Sequence, residues 1–343
     1  MKQLKIIQVG MGGFGRNWYK TKVKPLGSVH ATGIVDPSRD SRQRCIDDLG
    51  VDPTLLYSSL AEALDAVAAD AVLVTASLPG HVPAATEALH AGKHVLMEKP
   101  FAPSVREARD LVALAADQKR TLMISQNYRF FPAPQRAAQI VAEGTLGALG
   151  VVHVDFRRDH VLFDEGRRKH YELPHPLLAD MAIHQFDLMR MITAADAKRV
   201  RCYAFQPPWS HYNNPPAAEA VVEMENKVVV TYRGSWVSSG PVTPWAGEWH
   251  LEFEKGELWF QSRGDDTESA DELWMRELGR EPVKQKLAVL AGTDRTGSLL
   301  EFAAAITEGR EPITSGRRNV GSIGLTYAAI ASADHGGWEP VER

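Results

Sequence analysis

From its start the chain alternates short unbroken apolar runs with longer stretches whose apolar residues recur every three or four positions. "LKIIQV" (residues 4–9) is a run of the buried-strand type, cut off by glycines. A helical stretch follows from Phe14 to about Lys24, then the run "HATGIVD" ending at Asp36, then a helical stretch from Ser38 to Leu49. The series continues with a helix in "SLAEALDAVAA", a strand in "DAVLVTAS", a helix in "HVPAATEALHAG" and a strand in "KHVLMEKP". A helix in "SVREARDLVALAADQ" and a strand in "TLMISQNYRF" complete it. This alternation predicts a doubly wound parallel sheet with helices on both faces and ligands at the carboxyl ends of the strands.

Those strand ends carry the chemistry. The first turn reads Gly10-Met11-Gly12-Gly13-Phe14-Gly15, a GxGxxG between a strand and a helix. In that pattern the first glycine permits the tight turn, the second lets a pyrophosphate approach the backbone, and the third packs helix against strand. Phosphate is expected on the first amides of the helix. Glycines also occur in plain turns, but Asp36 at the end of the second strand supplies the carboxylate that accepts hydrogen bonds from ribose hydroxyls. Asp36 favours NAD, while Ser38 and Arg39 keep NADP possible.

The fourth strand runs into "TASLPGH", so Ser77 to His81 is expected as a loop along the cofactor's path, with a turn at Pro79-Gly80. The fifth ends in Glu98-Lys99-Pro100, where proline holds Lys99 extended beside the expected crevice.

A second feature lies in "LLADMAIHQFDLMRMI" (residues 177–192), which reads as one helix. Asp180, His184 and Asp187, spaced by four and three, share one face. Leu177, Leu178, Met181, Ile183, Phe186, Leu188, Met189 and Ile192 cover most of the rest. A helix apolar nearly all round is buried, so its polar stripe faces either a cavity or a narrow solvated edge.

With 343 residues the chain is long enough for two domains. Hydrophobic residues at 44% and charged residues at 24% suit a globular protein, and a net charge of −4 gives no footprint for nucleic acid or a membrane surface. Cys45 and Cys202, far apart and without a CxxC, read as small core residues. The N-terminal apolar run is too short for a signal peptide, and no stretch approaches the roughly 20 apolar residues of a membrane span, so the expected location is cytoplasmic. His90 and His94 flank the turn "AGK", while His160, His170, His175 and His211 fall in loop-like stretches. None has a ligand spacing, and no metal is expected. The run Arg167-Arg168-Lys169-His170 reads as a solvated loop or, as the minority reading, a substrate contact. No GxSxG or cysteine nucleophile signature occurs.

"VGMGGFG", "AGKHVLMEKP" and "DMAIH", in that order, resemble the glucose–fructose oxidoreductase and inositol dehydrogenase family (Gfo/Idh/MocA). "NYRFFPA", "EGTLGALG" and "SGRRNV" extend the resemblance over essentially the whole chain. It implies an N-terminal NAD(P)-binding Rossmann domain over residues 1–125. A substrate-binding and oligomerisation domain would follow over residues 126–343, a large, mostly antiparallel open sheet with helices on one face. "VVHVDFRR", "KRVRCYAFQ", "AAEAVVEME", "KVVVTYRGSWV", "WHLEFEK" and "GELWF" fit as its strands. "SLLEFAAAITEG" and "NVGSIGLTYAAIASADHG" are helical, and "QPPWSHYNNPP" is a loop. The exposed sheet face implies a homodimer or homotetramer.

Carried over by motif, Lys99, Asp180 and His184 match the family's catalytic constellation, and Lys99 also belongs to the cofactor and substrate sites. The expected cofactor-facing residues are Gly10, Gly12, Gly13, Phe14, Gly15, Asp36, Ser77, Pro79, His81, Glu98 and Asn127. Tyr128, Arg129 and Arg157 are expected beside the substrate, with Arg158, Trp236 and Trp245 as further wall residues. The two tryptophans read equally as core or oligomer contacts. Arg129 reads equally as a salt bridge tying the two domains. Where the family commonly has Asp-x-Gly-x-His this chain has Ala182, and "HPLLA" replaces its glycine-rich lead-in; both bear on the substrate more than on the reaction.

The resemblance implies a dehydrogenase in which His184 takes the proton of a secondary hydroxyl of a sugar, sugar acid or inositol as its carbon gives hydride to NAD⁺. An imidazole's ordinary pKa of about 6.5 suits that work. Asp180 would orient His184 or bond the same hydroxyl, and Lys99 would steady the developing alkoxide. Lys99 and His184 both remain open as the immediate acid/base. The alternative is a redox-neutral enzyme that oxidises a sugar carbon transiently, with tightly held NAD, to assist elimination or glycoside cleavage. A non-catalytic NAD-binding sensor has no need of these three residues together.

Overall fold

The computed structural model describes residues 3–159, 171–265 and 271–343, and the chain folds into two compact units. The first is Met1–Asn127 with Gly292–Val320, the second Tyr128–Ala291 with Gly321–Arg343.

In the first unit the strands are β1 (Leu4–Val9), β2 (Val29–Val35), β3 (Leu56–Tyr57), β4 (Ala71–Val74), β5 (His94–Met97) and β6 (Leu122–Ile124). They form one sheet in the order β3-β2-β1-β4-β5-β6, and every neighbouring pair is parallel. Strand order reverses between β1 and β4, the switch point where such sheets take ligands. β4 is buried along its whole length, as covered parallel strands are. The intervening helices are α1 (Gly13–Trp18), α2 (Arg39–Leu49), α3 (Leu60–Ala66), α4 (Leu78–His90) and α5 (Val105–Asp117). Ser38, Ser59 and Ser104 cap α2, α3 and α5, each accepting from the amide three residues on.

The second unit contains α6 (Pro132–Glu143), β7 (Leu149–Arg157), α7 (Ile183–Thr193), β8 (Ala197–Phe205), β9 (Ala217–Met224) and β10 (Val229–Ser235). β11 (Glu248–Phe253), β12 (Gly256–Gln261), β13 (Glu272–Glu277) and β14 (Val283–Lys284) follow, and β15 (Trp338–Pro340) comes last. Nine strands order as β14-β13-β12-β11-β7-β10-β9-β8-β15; only β7 and β10 pair in parallel. Alternation along β7 turns Val152, Val154 and Phe156 into the core, against Ile140 of α6 and Phe186 and Met189 of α7. Leu325 and Ala329, of the long helix α9 (Gly316–His335), join the same core. His153, Asp155 and Arg157 point the other way. Burying each large apolar side chain contributes about 1.5–3 kcal/mol, against about 0–1 kcal/mol for an exposed ion pair, so the inner face sets the register.

Several elements differ from the expectation. Helix α8 (Asp294–Glu308) and the segment after it belong to the first unit. There Ile124 N donates to Thr314 O (2.9 Å) and Thr314 Oγ1 to Ile124 O (2.7 Å), covering the otherwise open edge at β6. A single boundary near residue 125 does not contain that return. α4 starts at Leu78, so Pro79 and Gly80 lie in its first turn rather than in a loop; a proline there loses no helical hydrogen bond. β6 ends at Ile124, and Asn127–Phe130 is a 3₁₀ turn rather than strand, following the polar pair Ser125-Gln126. The helix read from Phe14 to Lys24 is α1 followed by a π-helical stretch at Tyr19–Val23. That read over residues 177–192 is likewise a π stretch, Leu177–Ala182, running into α7.

Candidate functional site

In the first unit the glycine loop divides its labour as its spacing predicts. Gly10 has φ +91°, and a Cβ there would stand 2.4 Å from the backbone of Ala76. At Gly15 a Cβ would come within 1.8 Å of the Gly10 oxygen, which enforces close packing of α1 on β1. Gly12 and Gly13 are different: a Cβ at either meets nothing within 4 Å, so their backbone is open to approach. Gln8 Nε2 donates to Gly15 O (2.8 Å) and Thr75 Oγ1 to Gly10 O (2.7 Å), tying the loop to two strands.

Asp36, buried at the end of β2, accepts from Met11 N (2.6 Å) and Ser38 N (2.9 Å). Its carboxylate is thereby fixed against the loop, and two oxygens carry more acceptor sites than two amides fill. An open glycine cradle beside an anchored carboxylate fits a dinucleotide.

Among the other expected cofactor residues, His81 and Glu98 have defined partners. Ser77 is exposed at the start of α4 and makes no capping bond; Pro79 is also exposed. His81 is buried, with Nδ1 2.8 Å from Pro100 O and Nε2 3.0 Å from Ala76 O. Burial pushes its pKa down, with the Lys99 charge adding, against the pull of those carbonyls. A neutral ring donates to only one of them. His81 therefore joins the chain ends after β4 and β5, and both its nitrogens face backbone. Glu98 is also buried, accepting from Trp18 Nε1 (2.8 Å) and Lys99 N (3.1 Å). Burial raises its carboxyl pKa, against the charges of Lys99 and Arg295. Lys99 itself is half-buried and precedes a cis peptide to Pro100.

Arg295, which the sequence reading missed, lies over Phe14 (5.0 Å to the ring centroid) and Trp18 (5.5 Å), and its Nη2 donates to Asn17 Oδ1 (2.9 Å). The amide of Asn127 donates to the neighbouring Asp294. Both new residues come from the returning segment, more than 150 positions from the loop they join, and no periodicity announces that.

In the second unit His184 is buried on α7, and the Tyr128 ring stacks on its imidazole. Arg129 grips Asp187 through Nε (2.5 Å) and Nη2 (2.9 Å), and Ser322 Oγ adds a third donor at 2.6 Å. Arg129 is thus an ion-pair partner of Asp187 inside the second unit. Asp180 is half-buried in the π stretch. A Cβ at Gly234 would stand 2.7 Å from Leu177 Cδ2, so the lack of a side chain in "YRGSW" lets this helix settle on the end of β10.

Arg263 Nη1 donates to Tyr128 Oη (2.7 Å) and its guanidinium lies 4.6 Å from the centre of that ring. The same guanidinium is 5.5 Å from Trp245, whose indole is also covered by Arg158 at 4.3 Å. Asp265 accepts from Arg158 Nη1 and Trp245 Nε1, both at 2.8 Å. Burial opposes its ionisation, but those bonds and the two arginine charges hold its carboxyl below the ordinary value. Arg157 is elsewhere. The alternation of β7 sends it to the outer face, where Nη2 pairs with Glu248 (2.7 Å) and Nε with Pro241 O (3.2 Å), so Arg158, one position on, is the arginine that turns inward, over Trp245. Trp236 is buried against Phe156 and Trp245.

His94 Nδ1 accepts from Thr121 N, His175 pairs with Asp334, and His90 and His211 are exposed. His160, Arg167, Arg168, Lys169 and His170 lie outside the described residues. Among those described, no three His, Cys, Asp or Glu side chains are grouped to hold a metal, and no helix is long and apolar enough to cross a membrane.

Residues 4–126 match the family model described as the NAD-binding Rossmann fold of an oxidoreductase family, GFO_IDH_MocA, and residues 135–258 match the GFO/IDH/MocA C-terminal domain. The uncharacterized protein y4oX of Sinorhizobium fredii is 24% identical over 98% of this chain and 95% of its own length. An oxidoreductase from Agrobacterium radiobacter, solved with NAD+, L-tartaric acid and magnesium, superposes with a TM-score of 0.86 at 18% identity, covering 99% of each chain. An inositol dehydrogenase homolog from Azotobacter vinelandii, solved with NADH and myo-inositol, gives 0.83 at 19%, covering 99% of this chain and 98% of that one. At such identities the likeness to the solved structures is one of fold.

Proposed function

Because the chain belongs to the Gfo/Idh/MocA oxidoreductases, with their NAD-binding Rossmann domain, we propose that it is a dehydrogenase moving hydride between a secondary alcohol and the nicotinamide. The alcohol belongs to a sugar, sugar acid or inositol. NAD, when bound, supplies the hydride acceptor.

The residues of the chain do the rest. Asp36 and the open amides of Gly12 and Gly13 bind and orient the dinucleotide. His184 takes the hydroxyl proton, and Asp180 orients the ring or bonds the same hydroxyl. Lys99 supplies the positive charge that steadies the oxygen as its proton leaves. The observation that carries this reading is the clamping of His184: a buried imidazole stacked flat on Tyr128 is held in one orientation, as a proton acceptor in catalysis must be. Trp259 and Trp274, stacked on the outer sheet face, suit assembly into a homodimer or homotetramer.

His184→Ala and Lys99→Ala test the assignment. Each is expected to lose turnover by roughly 10²–10⁴-fold while still binding NAD. Near-normal turnover in either variant removes that residue from its role.

A further inference from the structure

We infer that the turn at Asp294 and Arg295, on the segment that returns to the first unit, positions two cofactor-facing residues: Asp294 sets the amide of Asn127, and Arg295 holds the ring of Phe14. This rests on the cofactor half of the dehydrogenase reading and not on its substrate.

Asp294 opens α8 with φ +56°. That left-handed conformation is uncommon outside glycine and persists where surrounding contacts hold it. Its carboxylate is buried, and three elements converge on it. Asn127 Nδ2 donates to one oxygen, while Lys22 Nζ and Arg295 Nε lie 3.7 Å and 3.5 Å from the other. An ionised carboxylate only accepts hydrogen bonds. Asn127 must therefore turn its NH₂ towards Asp294 and its oxygen away, which offers an acceptor just past the carboxyl end of β6. With the adenosine ribose at Asp36, beside β2, the β6 side of the switch point belongs to the nicotinamide half of the dinucleotide. Ribose hydroxyls and the carboxamide N–H groups are the donors such an oxygen receives.

The next residue reaches the glycine loop. The Arg295 guanidinium lies 5.0 Å from the centre of the Phe14 ring and 5.5 Å from that of Trp18, and Nη2 donates to Asn17 Oδ1 at 2.9 Å. The arginine side chain is 14% exposed, and its Nη1 is buried without a hydrogen-bond partner. Stability alone would favour pairing that nitrogen and covering the ring. Instead the guanidinium forgoes a bond, and Phe14 stays 52% exposed, next to the open backbone of Gly12 and Gly13. A ring held in place yet left uncovered is what a ligand-facing residue requires.

The test is calorimetric titration of NAD⁺ into the full chain without substrate, with the denaturant midpoint of every variant measured alongside. Asp294→Gly keeps the left-handed turn and removes the carboxylate. Its Kd for NAD⁺ should rise about three- to tenfold, as for one lost hydrogen bond. In an Asn127→Ala background the same change should have almost no further effect. Arg295→Met should raise Kd about threefold or more, and Arg295→Lys, which keeps a cation over the ring, by less. In a Phe14→Leu background Arg295→Met should add almost nothing. A turn that serves the fold alone moves the midpoint and leaves these couplings at zero. NAD⁺ bound as tightly by Asp294→Gly or by Arg295→Met as by wild type overturns the inference and leaves the dehydrogenase reading standing. Losses that simply add to those of Asn127→Ala and Phe14→Leu do the same. Wild-type protein that binds no NAD⁺ overturns both. Weakened binding with the expected couplings sustains the inference even where no hydride moves.

Discussion

The ring of Tyr128 lies parallel to the imidazole of His184, with centroids 4.0 Å apart and 7° between the planes. Arg129, the next residue, holds Asp187, three positions further along the same helix. Two consecutive residues of one 3₁₀ turn thus fix α7 at successive points of one face. A stacked ring pair of this kind contributes about 0.5–1.5 kcal/mol. Tyr128→Phe keeps the stack and loses only the hydroxyl that accepts from Arg263, so most of kcat should survive. Tyr128→Leu loses both, and kcat should fall by about two- to twelvefold. Equal effects of the two substitutions would show that the ring plane does not position His184.

Asp187 accepts from Arg129 and Ser322 in a buried setting, so removing its charge strands a guanidinium. Breaking one side of a buried pair costs about 3–5 kcal/mol. Asp187→Asn should lower the denaturant midpoint accordingly. A paired change, Arg129→Met with Asp187→Leu, should recover much of that loss. A midpoint unmoved by Asp187→Asn would mean that the pair contributes no net stability.

Glu98 gives a pH signature. Its carboxyl pKa is raised in the folded protein, chiefly by burial. The folded state therefore holds the proton longer than the unfolded chain does. Stability from this group is complete below the ordinary value of 4.5 and is lost as pH rises through the folded value. Glu98→Gln keeps an acceptor for Trp18 and removes the titration. The stability of the variant relative to wild type should climb as pH rises above 4.5, measured by urea unfolding at several pH values. A difference independent of pH would mean that Glu98 titrates alike in both states.

Much of this was legible because residue identity encodes backbone demands. Gly10 and Gly15 stand where a side chain would collide with backbone, and β4, "AVLV", reads as a covered strand because every position is apolar, and all four are buried. Asp36 follows from the same logic. The unread parts are tertiary. Pro79 opens α4 because a proline in a helix's first turn is as acceptable as one in a loop. The return of Gly292–Val320 to the first unit, and with it Arg295 over Phe14, depends on covering β6, which leaves no periodic trace. Arg158 continues the inward phase set by Val152, Val154 and Phe156, but a charged residue there reads as the end of the strand rather than as a buried side chain. The π stretch at Leu177–Ala182 likewise has no mark in the apolar periodicity, which reads as one continuous helix.

Asp36 bears on cofactor choice. Asp36→Ala removes both the acceptor proposed for the ribose and the anchor of Met11 N. NAD affinity should drop by about tenfold or more, while discrimination against NADP relaxes, as read by titrating both cofactors. An unchanged preference would place the ribose away from Asp36.

The dehydrogenase assignment is tested most directly by following reduced nicotinamide with the purified protein across sugars, sugar acids and inositols, with NAD⁺ and NADP⁺ in parallel. A clear rate with one stereochemically related group of substrates, faster with NAD⁺ and abolished in His184→Ala, is the predicted result. Silence across the panel from protein that keeps NAD bound would contradict it and point to a redox-neutral use of the cofactor.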